Sequence, residues 1–333
     1  MINIVLISSI PFFLSLTLTY IIKRIALKHQ IVDVPNERSS HDAPTPTGGG
    51  LAILISWFLG ITFLFFFNWI EKNLYFALLC GILLAVVSLI DDIISVPPVI
   101  RLAIQFITAI LSFYFINGVS SLKILGFEIS SVFVLYPVTI VGIVWFINLF
   151  NFLDGIDGFA SLEAVTIAAV MLIFSSNFIN LVLIGSVAGF LYWNWPKAKI
   201  FMGDIGSTQL GFILVILGIY FHNQTQFDII HWIMLTSLFW FDATLTLFRR
   251  WKNKEKLSVA HRKHVYQRAV QSGLSHKSTI LISFAINLGI IGLVVVSERF
   301  DYLIIPSFVI NIIILYGITR MVDKKVPFIN NGR

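Results

Sequence analysis

The sequence predicts an all-α polytopic membrane protein, one domain over residues 1–333 built as a bundle of about 11 transmembrane helices. Three observations carry this. Hydrophobic residues make up 57% of the chain and charged residues 12%, with a mean hydropathy of +0.90, whereas a soluble domain carries roughly 25% charged residues. Apolar runs of helix length recur from end to end, and a bilayer core needs about 20 such residues per crossing. Basic residues then sort by side: one set of connections holds 20 of the 23 lysines and arginines, and the opposite set holds only Lys72, Lys123 and Arg299. The basic side is read as cytoplasmic. The N-terminus is then periplasmic and the C-terminus cytoplasmic, a parity that eleven spans satisfy. The net charge of +6 is assigned to these loops and to anionic headgroups, not to nucleic acid. Cys80 is the only cysteine, so no intrachain disulfide forms.

The first run, 3–22, lacks a basic leading region and a clear cleavage site and is read as a retained helix. The loop 23–49 carries Asp33, Asn36, Glu37, Arg38 and His41 and ends in Thr45-Pro46-Thr47-Gly48-Gly49. Glycines ahead of a helix either cradle a phosphate or make a plain turn. Helices follow at 50–67 and 74–90, the second closing on Asp91-Asp92 in the loop 91–98 before Pro97-Pro98. Adjacent acids repel, so the pair reads either as a solvated helix end or as a group facing a cation. Helices at 99–117 and 132–148 lead to the loop 149–158, within Asn148-x-x-Asn151-Phe-Leu-Asp154-Gly-Ile-Asp157-Gly. Asp154 and Asp157 share a face in helical geometry, and Gly155 and Gly158 permit close approach by a ligand. A plain polar turn does not need two asparagines and two aspartates.

The runs 159–176 and 179–195 meet in a tight link around Ser175–Asn177. The loop 196–205 contains Phe201-Met-Gly-Asp204-Ile-Gly-Ser207 and precedes a helix at 206–221. Ser207 and Thr208 are candidate caps for that helix, whose first amides favour an anion. After the run 229–248 comes the basic loop 249–277, with His261-Arg262-Lys263-His264-Val-Tyr266-Gln267-Arg268. Its cations could hold phosphates, arginine being suited to bidentate contact. The positive-inside bias accounts for 249–256 better than for the two histidines. Helices at 278–297 and 302–320 close the chain. Glu163 and Asp242 lie within apolar spans and are assigned no chemical role.

Counting through these elements places Asp91, Asp92, Asp154, Asp157 and Asp204 on the basic face, although the charge count never used them. Carboxylates at membrane depth are costly unless they serve a cavity, a metal or a partner. Five on one side point to a cation-dependent site at the membrane surface, with Asp204 as a metal-ligand candidate. Magnesium takes one or two carboxylates plus phosphate oxygens, so a diphosphate substrate would complete the site. A transporter would instead place acids near span centres and show paired repeats.

In order and spacing these motifs resemble the polyprenyl-phosphate N-acetylhexosamine-1-phosphate transferases of glycosyltransferase family 4, related to the peptidoglycan phospho-MurNAc-pentapeptide translocase. The resemblance spans essentially the whole chain. It rests on the Thr-x-Gly-Gly-type region at Thr45 to Gly50, the Asp91-Asp92 pair, the Asn148 to Gly158 motif, the Phe201 to Ser207 motif and the histidine loop. It implies transfer of an N-acetylhexosamine-1-phosphate from a UDP-sugar to undecaprenyl phosphate, with UMP leaving. It also implies a Mg2+ requirement, with Mn2+ as a substitute, and a site facing the cytoplasm at the bacterial inner membrane. The step would be the first membrane step of O-antigen or related surface-polysaccharide synthesis. By motif match, Asp204 and Asp154 are metal ligands. Asp91, Asp92, Asp154 and Asp157 are catalytic. Asn148, Asn151, Thr47, Gly48, Gly49, His261, Arg262 and His264 bind substrate. A homodimer is compatible with the resemblance. The last loop departs from the peptidoglycan members, which carry three consecutive histidines. The pattern here is similar to the surface-polysaccharide branch, so a UDP-N-acetylhexosamine is expected over a muramyl-pentapeptide donor. Phosphatidyl-type transferases carry an Asp-Gly-x-x-Ala-Arg pattern, whose arginine is missing from Asp157-Gly-Phe-Ala-Ser.

Overall fold

The computed structural model describes residues 4–35, 40, 42–124, 127–257, 259 and 261–328, so Asn36, Glu37, Arg38 and His41 lie outside the described residues. The helices are α1 (Ile4–Lys28), α2 (Gly50–Phe66), α3 (Lys72–Leu79), α4 (Ile82–Ile93), α5 (Pro98–Ile116), α6 (Val132–Phe152), α7 (Phe159–Ser175), α8 (Ile179–Asn194), α9 (Asp204–Asn223), α10 (Ile229–Leu235), α11 (Ser237–Lys252), α12 (Val265–Gln271), α13 (His276–Arg299) and α14 (Ile304–Lys325). Two short antiparallel pairs accompany them. β1 (Val32–Asp33) pairs with β2 (Thr45–Pro46), with Val32 opposite Pro46, and β3 (Leu122–Ile124) pairs with β4 (Phe127–Ile129).

Every apolar run read from the sequence is helical over most of its length. Among the described residues, seven helices are long and apolar enough to cross a membrane, with α3 and α4 joined as one. The bent pair α10–α11 supplies an eighth if taken as one span, and α2, α7 and α8 are shorter apolar helices. The protein is an all-α polytopic membrane protein. Its outer helices display an apolar surface, including Phe13, Ile25, Ile107, Val309 and Ile313, of the kind a bilayer covers.

The centre of the bundle is α9. A helix that is apolar all round belongs in an interior, and from Ile205 to Phe221 every residue of α9 is buried. It packs on α6, α4, α2 and α7. Gly206 faces Gly50 so closely that a Cβ on either would overlap its neighbours, which brings the N-termini of α2 and α9 together beneath the site. On the flank, Gly185 and Gly189 let α8 meet the backbone of α1 at Ser8 and Phe12, a small-xxx-small contact of membrane helices.

Two expected single helices are broken. The run 229–248 bends by 72° between α10 and α11. In a membrane the freed carbonyls need donors. Trp240 Nε1 donates to Ile233 O at 2.8 Å, and Asn311 Nδ2 donates to Ser237 Oγ at 2.8 Å and to Met234 O at 3.4 Å. The run 74–90 is interrupted at Cys80-Gly81, where the Gln209 amide donates to Gly81 O. Neither break involves proline, and Gly81 at the first is the one local helix-weakening residue. Within the spans, Glu163 meets Asn287 of α13.

Candidate active site

The acids assemble from three chain segments. The end of α4 brings Asp91 and Asp92, the turn 153–158 after α6 brings Asp154 and Asp157, and the start of α9 brings Asp204. The end of β2 and the turn into α2 are bonded to the segment that precedes Asp204. Phe201 N donates to Pro46 O at 2.7 Å, Gly49 N to Phe201 O at 2.9 Å and Gly50 N to Met202 O at 2.8 Å. These bonds take the Gly49 and Gly50 amides, which the phosphate-cradle option would have left free. Of the glycine-loop candidates, Thr47 faces a cavity, whereas Gly48 and Gly49 shape the loop. Gly203, at φ 75°, turns the chain into α9 immediately before Asp204, a conformation that glycine adopts freely. The helix starts at Asp204, so Ser207 and Thr208 lie inside it and do not cap it. Thr208 Oγ1 donates to Asp204 O at 2.6 Å and Ser207 Oγ to Asn151 Oδ1 at 2.7 Å.

Two cavities meet at Asn151, Asp204 and Gln267. The first, about 620 Å³, is acidic and is lined by Asp92, Asp154, Asp157, Thr47 and His276 among others. The second, about 460 Å³, mixes Arg101, Gln105, Asn148, His261 and His264 with the apolar Leu84, Val87, Leu102 and Leu247. Asp204 is the one carboxylate common to both sets of lining residues.

The structure separates the two members of the Asp91-Asp92 pair. Asp91 accepts the Val96 amide and one nitrogen of Arg101, both at 2.6 Å. Asp92 instead faces the acidic cavity. The same Arg101 nitrogen lies 3.4 Å from Asp204 Oδ2. Asp157 is buried and pins the turn, accepting the Ala198 amide at 3.1 Å and lying 3.3 Å from His276 Nδ1. Asn194 braces the same turn by accepting the Gly158 amide at 2.9 Å. Burial first, then the charges of Asp204 and Asp157, push the Asp154 carboxyl up to about 7. Asn148 donates to Gln105 Oε1 at 2.6 Å.

The basic loop is more architectural than its charge suggested. Arg250 and Lys263 both reach Glu255, at 3.2 and 2.7 Å. Arg249 and Arg268 both reach Asp323, at 2.9 and 2.5 Å. His261 is held down to about 3 by burial, then by His264 and Arg250. It is therefore neutral near pH 7, not one of the phosphate-holding cations the sequence suggested. Arg262 lies outside both sets of lining residues. The fixed cation of the second cavity is Arg101, which the sequence reading counted only toward topology. Arg101 and Gln105 share a face of α5 at i, i+4 spacing, as Asn148 and Asn151 do on α6 at i, i+3. That pattern is the signal that could have found Arg101 and Gln105. Gln267 and His276 carried no such signal.

Among the described residues, no three His, Cys, Asp or Glu side chains converge as a ready metal cage. The donor set still fits a hard divalent ion, since magnesium needs only one or two carboxylates with phosphate and water completing it. The mutual repulsion that raises Asp154 is what such an ion relieves. Asp204 and Asp154 would hold it.

Residues 74–222, which contain all five acids, match the family model for glycosyl transferase family 4. A Bacillus subtilis (strain 168) protein is 31% identical over 98% of this chain and 96% of its own length, and is named a probable undecaprenyl-phosphate N-acetylglucosaminyl 1-phosphate transferase. The chain belongs to glycosyl transferase family 4. A Thermotoga maritima undecaprenyl-phosphate alpha-N-acetylglucosaminyl 1-phosphate transferase is 28% identical over 87% of this chain and 89% of its own. A Streptococcus pneumoniae phospho-N-acetylmuramoyl-pentapeptide-transferase is 30% identical over a shorter stretch, 55% of this chain and 61% of its own. The B. subtilis match extends through the histidine loop and the last two helices, beyond the limits of the family model.

Proposed function

We propose that this family member transfers an N-acetylhexosamine-1-phosphate from a UDP-sugar to undecaprenyl phosphate, releasing UMP. The observation that carries the reading is Asp204 standing where the acidic cavity and the Arg101 cavity meet. A polar, acid-lined chamber suits a cation-bound nucleotide diphosphate. A chamber with apolar walls and one guanidinium suits a phosphate at the end of a prenyl chain. The names of the full-length relatives support the acceptor and the sugar-phosphate class. The absence of three consecutive histidines favours a UDP-N-acetylhexosamine over a muramyl-pentapeptide donor, and O-antigen or a related surface polysaccharide as the destination. Eleven spans, with the site on the cytoplasmic side of the inner membrane, agree with the distribution of basic residues.

Phosphoryl transfer asks the protein mainly for positioning and charge neutralisation. A bound divalent ion would supply Lewis-acid stabilisation of the diphosphate and of the departing UMP. Asp204 and Asp154 would hold that ion. Arg101 draws the lipid phosphate to the junction, with Asn148 and Gln105 beside it. An oxygen of the lipid phosphate attacks the phosphorus that bears the sugar. The bond from that phosphorus to the UMP oxygen breaks, and UMP leaves with the electron pair. Asp92, not engaged with Arg101 as Asp91 is, is the carboxylate available to take a proton from the lipid phosphate. The test is to incubate purified protein with radiolabelled UDP-N-acetylhexosamines and undecaprenyl phosphate, then extract into butanol. Magnesium-dependent label in the lipid phase names the donor. Label that stays aqueous with every donor, from folded protein, contradicts the reading. Exchange of labelled UMP without lipid would favour two displacements over one.

A further inference from the structure

Asp242 lies within α11 and is 7% exposed. A carboxylate in such a span is expensive unless it is engaged, and this one is. Both of its oxygens accept the Val265 amide at 2.9 Å, Oδ2 also takes the Tyr266 amide at 3.4 Å, and Oδ1 takes the Thr246 hydroxyl at 3.1 Å. Val265 opens α12, so this carboxylate fixes where α12 begins. The residue immediately before α12 is His264, whose ring is buried and lines the second cavity. Its Nδ1 lies 3.4 Å from Asp242 Oδ1, and the side chain also faces the backbone amide of Gln267 in a capping box at the start of α12. Its ring plane is set by His261, at 4.9 Å between centroids, and by Tyr266, stacked at 5.9 Å.

We propose that Asp242 is a positioning residue for the transfer reaction, holding His264 with Nδ1–H toward the carboxylate and Nε2 toward the cavity that contains Arg101. The hydrogen bond made by one imidazole nitrogen decides the state of the other. With its proton held on Nδ1 by the carboxylate, the ring presents the Nε2 lone pair to the cavity, where it can accept a hydrogen bond from the substrate phosphate. Asparagine is nearly isosteric. Its carbonyl still accepts the Val265 amide, but its NH2 group faces the Nδ1 lone pair and holds the opposite tautomer, with the proton on Nε2. The proposal rests on the sugar-phosphate transfer reading, and its test therefore includes a measurement that does not need turnover.

The full-length protein is assayed in detergent with the donor found above, as wild type, Asp242→Asn, His264→Gln and the double variant. A group acting through imidazole orientation is worth about 100-fold or more in turnover. Asp242→Asn is expected to lower kcat by about that factor. In the His264→Gln background it should add less than about threefold, the non-additivity of residues acting as one unit. A full-size loss in both backgrounds would assign Asp242 to scaffolding and overturn the proposal. So would wild-type kcat in Asp242→Asn. Nitrogen NMR of labelled histidine gives the independent readout, with Nδ1 of His264 protonated in the wild type and unprotonated in Asp242→Asn. The same tautomer in both overturns the proposal even if no donor is turned over. Inactive wild type with the expected tautomer change leaves the proposal standing and counts against the transfer reading instead.

Discussion

Arg101→Met keeps the unbranched stem and removes the charge that joins α4, α5 and α9. Two consequences can be sized. The Arg101 nitrogen is 2.6 Å from Asp91 and 3.4 Å from Asp204, with side chains 37%, 16% and 41% exposed in that order. Exposed ion pairs contribute roughly 0–1 kcal/mol, whereas breaking a buried one costs about 3–5 kcal/mol. With arginine and Asp204 each more than a third exposed, solvent screening places the stability loss near about 1 kcal/mol. Asp91 also keeps the Val96 amide. The effect on turnover should be larger, because a fixed donor at a developing or transferring anion is worth roughly 100- to 1,000-fold. The variant should therefore melt close to wild type in detergent while UMP release falls by that factor at saturating donor and lipid. Asp91→Asn should lower turnover by loosening Arg101, yet add little in the Arg101→Met background. Turnover within about threefold of wild type would refute the reasoning. So would a stability loss above about 3 kcal/mol, the signature of a buried strut.

Further expectations follow from the geometry of the loops. A Cβ at Gly155 would run into Tyr266 Oη, so Gly155→Ala should destabilise by about 1–3 kcal/mol. Tyr266→Phe should rescue it, at a cost of about 1 kcal/mol for the lost bond to Phe152 O. Equal melting temperatures of Gly155→Ala with and without the hydroxyl would count against this. His261 is held down to about 3, so between its ordinary range near 6.5 and about 3 the unfolded chain binds the proton and the folded one does not. Stability should fall as pH drops through that window, and less steeply in His261→Asn, as read by thermal melts at several pH values. Asp154, pushed up to about 7, is neutral below that pH. Burying its charged form lowers the stability of the ion-free protein as pH rises from about 4 toward 7. Magnesium binding by calorimetry should strengthen about tenfold from pH 6 to 8 and then level off. A flat profile would remove Asp154 from the ligands.

How much of this was legible in the sequence depended on the kind of signal. Helix-length apolar runs report burial in bilayer or protein alike, so each run read from the sequence proved helical. The breaks at Cys80-Gly81 and Thr236 were invisible because distant side chains, Gln209, Asn311 and Trp240, satisfy the freed carbonyls. The acids were found because carboxylates near membrane helices are costly and therefore conspicuous. Their division of labour was not, since Asp91 and Asp92 differ only in which way a helix end turns and in whether Arg101 reaches them. The basic loop misled in the opposite direction. Charge pattern alone does not distinguish a phosphate-binding cation from one engaged internally, and Glu255 and Asp323 engage Arg249, Arg250, Lys263 and Arg268. Asp242, given no chemical role from sequence alone, anchors the start of α12 across a separation of 23 residues.

The most direct test of the central claim, that Asp204 at the junction of two cavities carries the transfer, is UMP release by Asp204→Asn beside wild type. Purified protein would be given undecaprenyl phosphate, magnesium and a UDP-N-acetylhexosamine. The account predicts lipid- and magnesium-dependent UMP release by the wild type and at least a roughly 100-fold fall in a variant that melts like it. Undiminished release by the variant would contradict the account.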